Sequence, residues 1–213
     1  VGHPLAKSLS GEIDGLKLKR DLGISPNKEI IAILPGSRKS EIKHHDKPLS
    51  DFIKKYKKEN PDAEIVLALN KKSDLLGQLE KLSGNIKVIF DSSQKVLSVC
   101  DLAVVASGTA TLEAGILAKP MVVIYKSNFL SNFILSNFFL KTKFIALPNI
   151  LSQEKIIFEL RQSQVIGEQI YEKVILSLKN KKNISEKLGS IKQSLLVSES
   201  NKFTKAIQEI FSK

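Results

Sequence analysis

One cysteine, Cys100, is the whole thiol content of the 213-residue chain, so no disulfide can close within it. Leu97, Val99 and Leu102 surround it in sequence. A buried thiol is expected there, which suits a reducing cytoplasm. Long apolar runs are missing too: nothing approaches the roughly 18 apolar residues of a membrane-spanning helix. The opening Val1-Gly2-His3-Pro4-Leu5 has neither the basic start nor the apolar centre of a secretory leader. It also lacks an initiator methionine, and the natural chain is therefore expected to begin upstream of Val1. Neither a Walker phosphate loop nor a Gly-x-Gly-x-x-Gly fingerprint occurs, which weighs against an ATPase or a dinucleotide enzyme. His44 and His45 have no cysteine partner and no further histidine at zinc spacing, so no metal site is expected. Repeats of solenoid length are absent. Only a local repetition is visible, in Ser127-Asn128-Phe129, Ser131-Asn132-Phe133 and Ser136-Asn137-Phe138.

What remains is an ordinary globular composition, 42% hydrophobic and 26% charged, long enough to bury a substantial core. The net charge of +11 favours an anionic partner: nucleic acid, acidic lipid head groups or phosphorylated small molecules. Scattered solvated lysines would give the same balance. From Glu29 onward, short β-branched runs alternate with longer helical patterns, the rhythm of an α/β parallel sheet with crossover helices. Strands are predicted at 30–34, 64–69, 87–90, 102–105 and 121–125, and their near-continuous apolar character fits strands covered on both faces. Helices are predicted at about 39–59, 73–82, 93–100 and 109–118. An irregular turn is predicted at Leu147-Pro148-Asn149, followed by helices to the end. In the last of these, Phe203, Ile207, Ile210 and Phe211 recur at helical spacing, a stripe that another surface must cover.

In an open parallel sheet, ligands bind beyond the carboxyl ends of the strands. Two loops, from non-adjacent predicted strands, have suitable composition there. The first reads Leu34-Pro35-Gly36-Ser37-Arg38, with Glu41 following. Gly36 permits a tight turn, Ser37 can cap a helix or meet a phosphate oxygen, and Arg38 offers a planar fork of donors. The second reads Ser107-Gly108-Thr109-Ala110-Thr111-Leu112-Glu113. Its small residues would let helix-terminal amides face a diphosphate, and Glu113 can accept from two adjacent ribose hydroxyls. Each loop also reads as an ordinary strand-to-helix turn, with Ser37 or Ser107 as cap and Glu41 or Glu113 serving the helix dipole.

In order along the chain, Val1-Gly2-His3-Pro4-Leu5, Leu34-Pro35-Gly36-Ser37-Arg38-x-x-Glu41-Ile42, Ala106-Ser107-Gly108-Thr109-Ala110-Thr111-Leu112-Glu113, Lys119-Pro120-Met121-Val122-Val123-x-Tyr125 and Leu147-Pro148-Asn149-Ile150-Leu151 resemble the lipid-A-disaccharide synthases. The resemblance implies a GT-B architecture, in which two Rossmann-like domains face each other across a cleft. This chain would be the carboxy-terminal, donor-binding portion. It further implies inverting transfer of 2,3-diacylglucosamine from its UDP conjugate to the 6-hydroxyl of 2,3-diacylglucosamine 1-phosphate, without cofactor or metal. By the same resemblance Gly36, Ser37, Arg38, Ser107, Gly108 and Thr109 would hold the diphosphate and Glu113 the ribose. Asn149 would lie at the cleft near the donor, with Gln162 beside it. Arg38 would stabilise charge on the departing UDP, while the general base would lie in a preceding acceptor domain, outside this chain. His3 would belong to the connection between domains.

The implied domain plan is a connection at 1–28, a nucleotide-sugar-binding Rossmann-like domain at 29–183, and a helical tail at 184–213 packing on the amino-terminal domain. The plan is compatible with a homodimer and with a peripheral position on the cytoplasmic face of the inner membrane. The segment Asn128–Leu140 supplies a membrane-docking candidate. As a helix it aligns Leu130, Ile134 and Phe138, flanked by Phe129 and Phe133, between Lys126 and Lys141 with Lys143 close by. Other readings are a different GT-B transferase using UDP-N-acetylglucosamine, a UDP-sugar epimerase, or a non-catalytic RNA-binding module. The last is disfavoured, because no RNA-recognition signature is present and the lysines lack interleaved aromatics.

Overall fold

The computed structural model describes residues 14–71, 77–82, 84–126 and 143–197. Elements follow in the order α1 (Gly15–Asp21), β1 (Ile30–Leu34), α2 (Lys39–Glu59), β2 (Glu64–Leu69), α3 (Gly77–Leu82), β3 (Lys87–Phe90), α4 (Ser93–Val99), β4 (Leu102–Ala106), α5 (Thr109–Ile116), β5 (Met121–Tyr125), α6 (Leu147–Ser152), β6 (Phe158–Arg161), a 3-10 turn (Gln162–Gln164), α7 (Gly167–Lys179) and α8 (Lys181–Val197). His3, the Asn128–Leu140 segment and the Phe203–Phe211 stripe lie outside the described residues.

The strands form one six-stranded sheet in the order β3-β2-β1-β4-β5-β6, and all neighbours run parallel. Side chains alternate between its faces, as the pleat requires. Ile30, Ala32 and Leu34 of β1 join Val96, Leu112, Ala114, Ile184, Leu188 and Ile191 in one core. Ile31 and Ile33 join Ile42, Phe52, Tyr56, Ile170 and Val174 in the other. Thus α1, α4, α5, α6 and α8 cover one face, and α2, α3 and α7 the other. The α8 residues Ile184, Leu188 and Ile191 are buried in the first core, so the amino-terminal turns of the 184–213 segment complete this domain. Cys100 is buried, and loss of solvent pushes its thiol up to about 12.

Three features differ from the sequence-based expectations. Leu147-Pro148-Asn149 opens a helix, because proline tolerates the first helical positions, where the missing N–H would have no partner anyway. A sixth strand, β6, pairs with β5 through Val122–Phe158 to Tyr125–Arg161. And the two loops expected from non-adjacent strands issue from β1 and β4, which are hydrogen-bonded neighbours, Leu34 lying opposite Val105.

Candidate functional site

The adjacency of β1 and β4 creates the site. The chain leaves β1 toward α2 on one face and leaves β4 toward α5 on the other, so a crevice opens between the loops where the strand order reverses. A cavity of about 370 Å³ occupies it. Gly36, Ser37 and Arg38 line one wall, and Ser107, Gly108, Thr109 and Glu113 the other. Asn70 at the end of β2 and Ser93 at the start of α4 close the side. Sequence reading missed this pair, since each is one polar residue among several after a strand, Asn70 before Lys71-Lys72 and Ser93 within Asp91-Ser92-Ser93-Gln94, and only the strand order brings them here.

Neither loop is capped by its serine. The N-cap of α5 is Gly108, and no side chain caps it. The N–H groups of Gly108, Thr109 and Ala110 donate to no described residue, while that of Thr111 returns to the Gly108 carbonyl at 3.1 Å. These free amides sit at the positive end of the α5 dipole, a ready site for an anion. On the opposite wall, Glu41 folds back over the turn. Its Oε2 accepts from the Ser37 N–H at 3.1 Å and the Arg38 N–H at 3.4 Å, and its Oε1 pairs with the Arg38 guanidinium at 3.3 Å. That ion pair is worth little, because the Arg38 side chain is 80% exposed. The Gly36 N–H donates to no described residue. Gly36 itself has φ +127°, and a Cβ there would meet Glu41 Cβ at 2.9 Å, so glycine is required twice over.

Under the turn lies His45, buried from solvent. Its Nδ1 is 2.7 Å from the Pro35 carbonyl oxygen, and its Nε2 has no partner among the described residues. Burial lowers its pKa below the ordinary 6.5, outweighing the opposing effects of the Pro35 hydrogen bond and of Glu41. Across the cavity Glu113 is half-buried. Desolvation raises its carboxyl pKa, against a hydrogen bond with Gln94.

Asn149 and Gln162 do not line this cavity. Asn149 is fully buried. Its Nδ2 donates to the Ile157 carbonyl at 3.0 Å and to Glu159 Oε1 at 2.9 Å, while its Oδ1 accepts from the N–H groups of Ile156 and Ile157 at 2.8 and 3.0 Å. All four of these hydrogen bonds are to protein groups. They tie α6 to β6, and Pro148 of α6 packs so closely on α5 that a Cβ on Gly115 would lie 3.0 Å from its Cγ. The Glu159 carboxylate, only 6% exposed, also accepts from the Ile145 and Ala146 N–H groups and from Arg161. Gln162 opens the 3-10 turn after β6 with φ 49°.

A second cavity, about 340 Å³, lies at the opposite end of the sheet against Lys119, Lys181 and Lys182. Lys119 there donates to the Cys100 carbonyl, and Lys181 pairs with Asp101. Among the described residues no cluster of three metal-ligating side chains gathers, and no helix is long and apolar enough to cross a membrane.

The family model for lipid-A-disaccharide synthetase matches residues 1–211. A lipid-A-disaccharide synthase of Albidiferax ferrireducens is 32% identical over 197 residues, covering 91% of this chain and 50% of that protein. One of Hahella chejuensis is 31% identical and aligns with 100% of this chain and 55% of its own length. The chain therefore spans about half the length of the curated relatives it matches. Among solved structures, the lipopolysaccharide glycosyltransferase WaaG superposes with TM-score 0.57 at 12% identity, over 98% of this chain and 54% of its own. That likeness concerns the fold: the six-stranded parallel α/β sheet is of the kind found in GT-B glycosyltransferases. With the ordered motifs, the parallel sheet and the family match over almost its full length in agreement, the chain belongs to the lipid-A-disaccharide synthetase family.

Proposed function

We propose that this chain supplies the nucleotide-sugar half of a lipid-A-disaccharide synthase. It would hold UDP-2,3-diacylglucosamine while the glucosamine unit passes to the 6-hydroxyl of 2,3-diacylglucosamine 1-phosphate and UDP departs. One observation carries the reading: unengaged amides of both loops, Gly36 on one and Gly108, Thr109 and Ala110 on the other, converge on a single cavity at the strand-order reversal. Four N–H donors with a flexible arginine beside them suit a diphosphate. Glu113, one turn into α5, suits a ribose diol.

The chemistry follows from charge. Breaking the anomeric C–O bond leaves negative charge on the UDP β-phosphate, and donors already aimed there stabilise it more in the transition state than in the ground state. Arg38, mostly exposed here, would turn from Glu41 to that phosphate. The base that takes the proton of the acceptor hydroxyl belongs to the acceptor-binding half, so the isolated chain binds donor without turning it over. The acceptor, the amino-terminal half and the cytoplasmic membrane surface are the partners this reading requires.

Titration calorimetry on the chain with UDP and with ADP tests it. Binding of UDP clearly tighter than that of ADP, with no sugar transfer from either the diacylated donor or UDP-N-acetylglucosamine, is expected. Equal affinity for ADP would sink the uridine assignment, and turnover by the chain alone would sink the half-enzyme reading.

A further inference from the structure

We infer that His45 is a positioning residue for the diphosphate: its neutral imidazole donates Nδ1–H to the Pro35 carbonyl and so aims the Gly36 N–H into the cavity. The inference rests on the reading of that cavity as a nucleotide-diphosphate site. It begins from a division of labour within the turn. Glu41 already occupies the N–H groups of Ser37 and Arg38, which leaves the Gly36 N–H as the turn's unengaged backbone donor. The Pro35 carbonyl and the Gly36 N–H belong to one peptide plane, and across a trans peptide they point in opposite directions. Whatever holds the carbonyl therefore sets the direction of the N–H. His45 holds it, at 2.7 Å. The ring is wedged in the buried face of α2 beside Ile42 and Leu49, and the N–H is turned away from it, on the side where Gly36 lines the cavity.

The tautomer follows from the acceptor. A carbonyl accepts only, so Nδ1 must carry the proton, and Nε2 is then a bare lone pair in a buried place with no hydrogen-bond partner among the described residues. Protonation would put a second N–H there with no acceptor and a charge with little solvent. The charged and titratable groups facing the ring are Glu41 and His44 of its own helix and Lys126 at the end of β5. Lys126 and a charged His44 oppose a cation at His45, while Glu41 favours one. An imidazolium would be driven to leave its niche, releasing the Pro35 carbonyl and with it the aim of Gly36.

Two variants of the 213-residue chain separate aiming from packing. His45→Leu fills the niche without a donor. His45→Asn puts an amide N–H where Nδ1–H stands and does not titrate. UDP affinity should fall about tenfold or more in His45→Leu, the loss expected when a donor to a charged group is misdirected, and should stay within about threefold of wild type in His45→Asn. As pH falls through the folded-state pKa of His45, which burial holds below 6.5, the wild type should lose affinity relative to His45→Asn. Independently of any ligand, two-dimensional nitrogen NMR should find the Nδ1–H tautomer in the wild type. It should also find the Gly36 amide shifted in His45→Leu but restored in His45→Asn. Wild-type affinity in a folded His45→Leu, an Nε2–H tautomer, or a Gly36 amide indifferent to both variants would overturn the inference. A wild type that ignores UDP yet passes the NMR tests would refute the nucleotide reading and leave the aiming of Gly36 standing.

Discussion

Replacing Asn149 by alanine distinguishes a donor-binding asparagine from the buried fastener described above. The substitution removes the acceptor of the Ile156 and Ile157 N–H groups, the donor to the Ile157 carbonyl and one donor to Glu159. Ile157 is buried, so both of its polar groups lose their partners without gaining water. Ile156 is partly accessible and recovers some solvation, and Glu159 keeps Ile145, Ala146 and Arg161. At about 1–3 kcal/mol for each buried orphan, the total comes to roughly 3–5 kcal/mol. That is a large fraction of the roughly 5–15 kcal/mol by which a domain is stable. For a domain of this size it lowers Tm by about 10 °C, at roughly 2–4 °C per kcal/mol. Differential scanning calorimetry of the chain without nucleotide is the assay. A Tm within about 2 °C of wild type, together with weakened UDP binding, would refute the fastener and return Asn149 to the cleft.

The remaining expectations concern the cavity, the buried histidine and the segment outside the described residues. In a full-length enzyme, Arg38→Ala should slow transfer about a hundredfold or more, since removing one donor to developing charge costs roughly 2.7–4 kcal/mol. Glu113→Gln should chiefly weaken donor binding, and steady-state kinetics on both would expose a wrong assignment if neither parameter moved. His45 has a folded pKa depressed by burial below 6.5. Between that value and 6.5 the unfolded chain binds the extra proton, so the stability His45 confers is complete above about pH 6.5 and is lost as pH falls toward the depressed value. A Tm-against-pH curve steeper in wild type than in His45→Asn over that window is the expected result. Phe133→Asp with Phe138→Asp should reduce co-sedimentation with anionic vesicles if the 128–140 segment docks at a membrane surface. Equal sedimentation of the folded double variant would remove that segment from consideration.

Much of the fold was legible because buried parallel strands leave a strong local signal. Ile30–Leu34 and Met121–Tyr125 are uninterrupted apolar runs, and β1 to β5 appear where those runs predict them. β6 was not, because Phe158-Glu159-Leu160-Arg161 is short, carries two charges, and lies at the sheet's edge where one flank needs no apolar cover. Strand order is a long-range property that periodicity does not encode, which is why Ile31 opposite Leu102 came as a correction. The same limit applies to the site. Gly36 and Gly108 announce themselves by composition, but Asn70 and Ser93 reach the cavity only through the order of the strands. His45, hidden between polar neighbours, shows its role only once α2 is laid against the turn ten residues earlier. Asn149 illustrates the converse: the Leu-Pro-Asn motif offers a polar side chain, and only the fold shows that its amide is engaged by Ile156, Ile157 and Glu159.

The central claim is that the diphosphate of a uridine nucleotide sits between the two loops at the β1–β4 crevice. Nitrogen–proton correlation NMR of the labelled chain, titrated with UDP, reads it directly. The account predicts saturable shifts centred on the amides of Gly36, Gly108, Thr109 and Ala110, which line one cavity. Shifts centred instead on Lys119, Lys181 and Lys182, at the far end of the sheet, would contradict it.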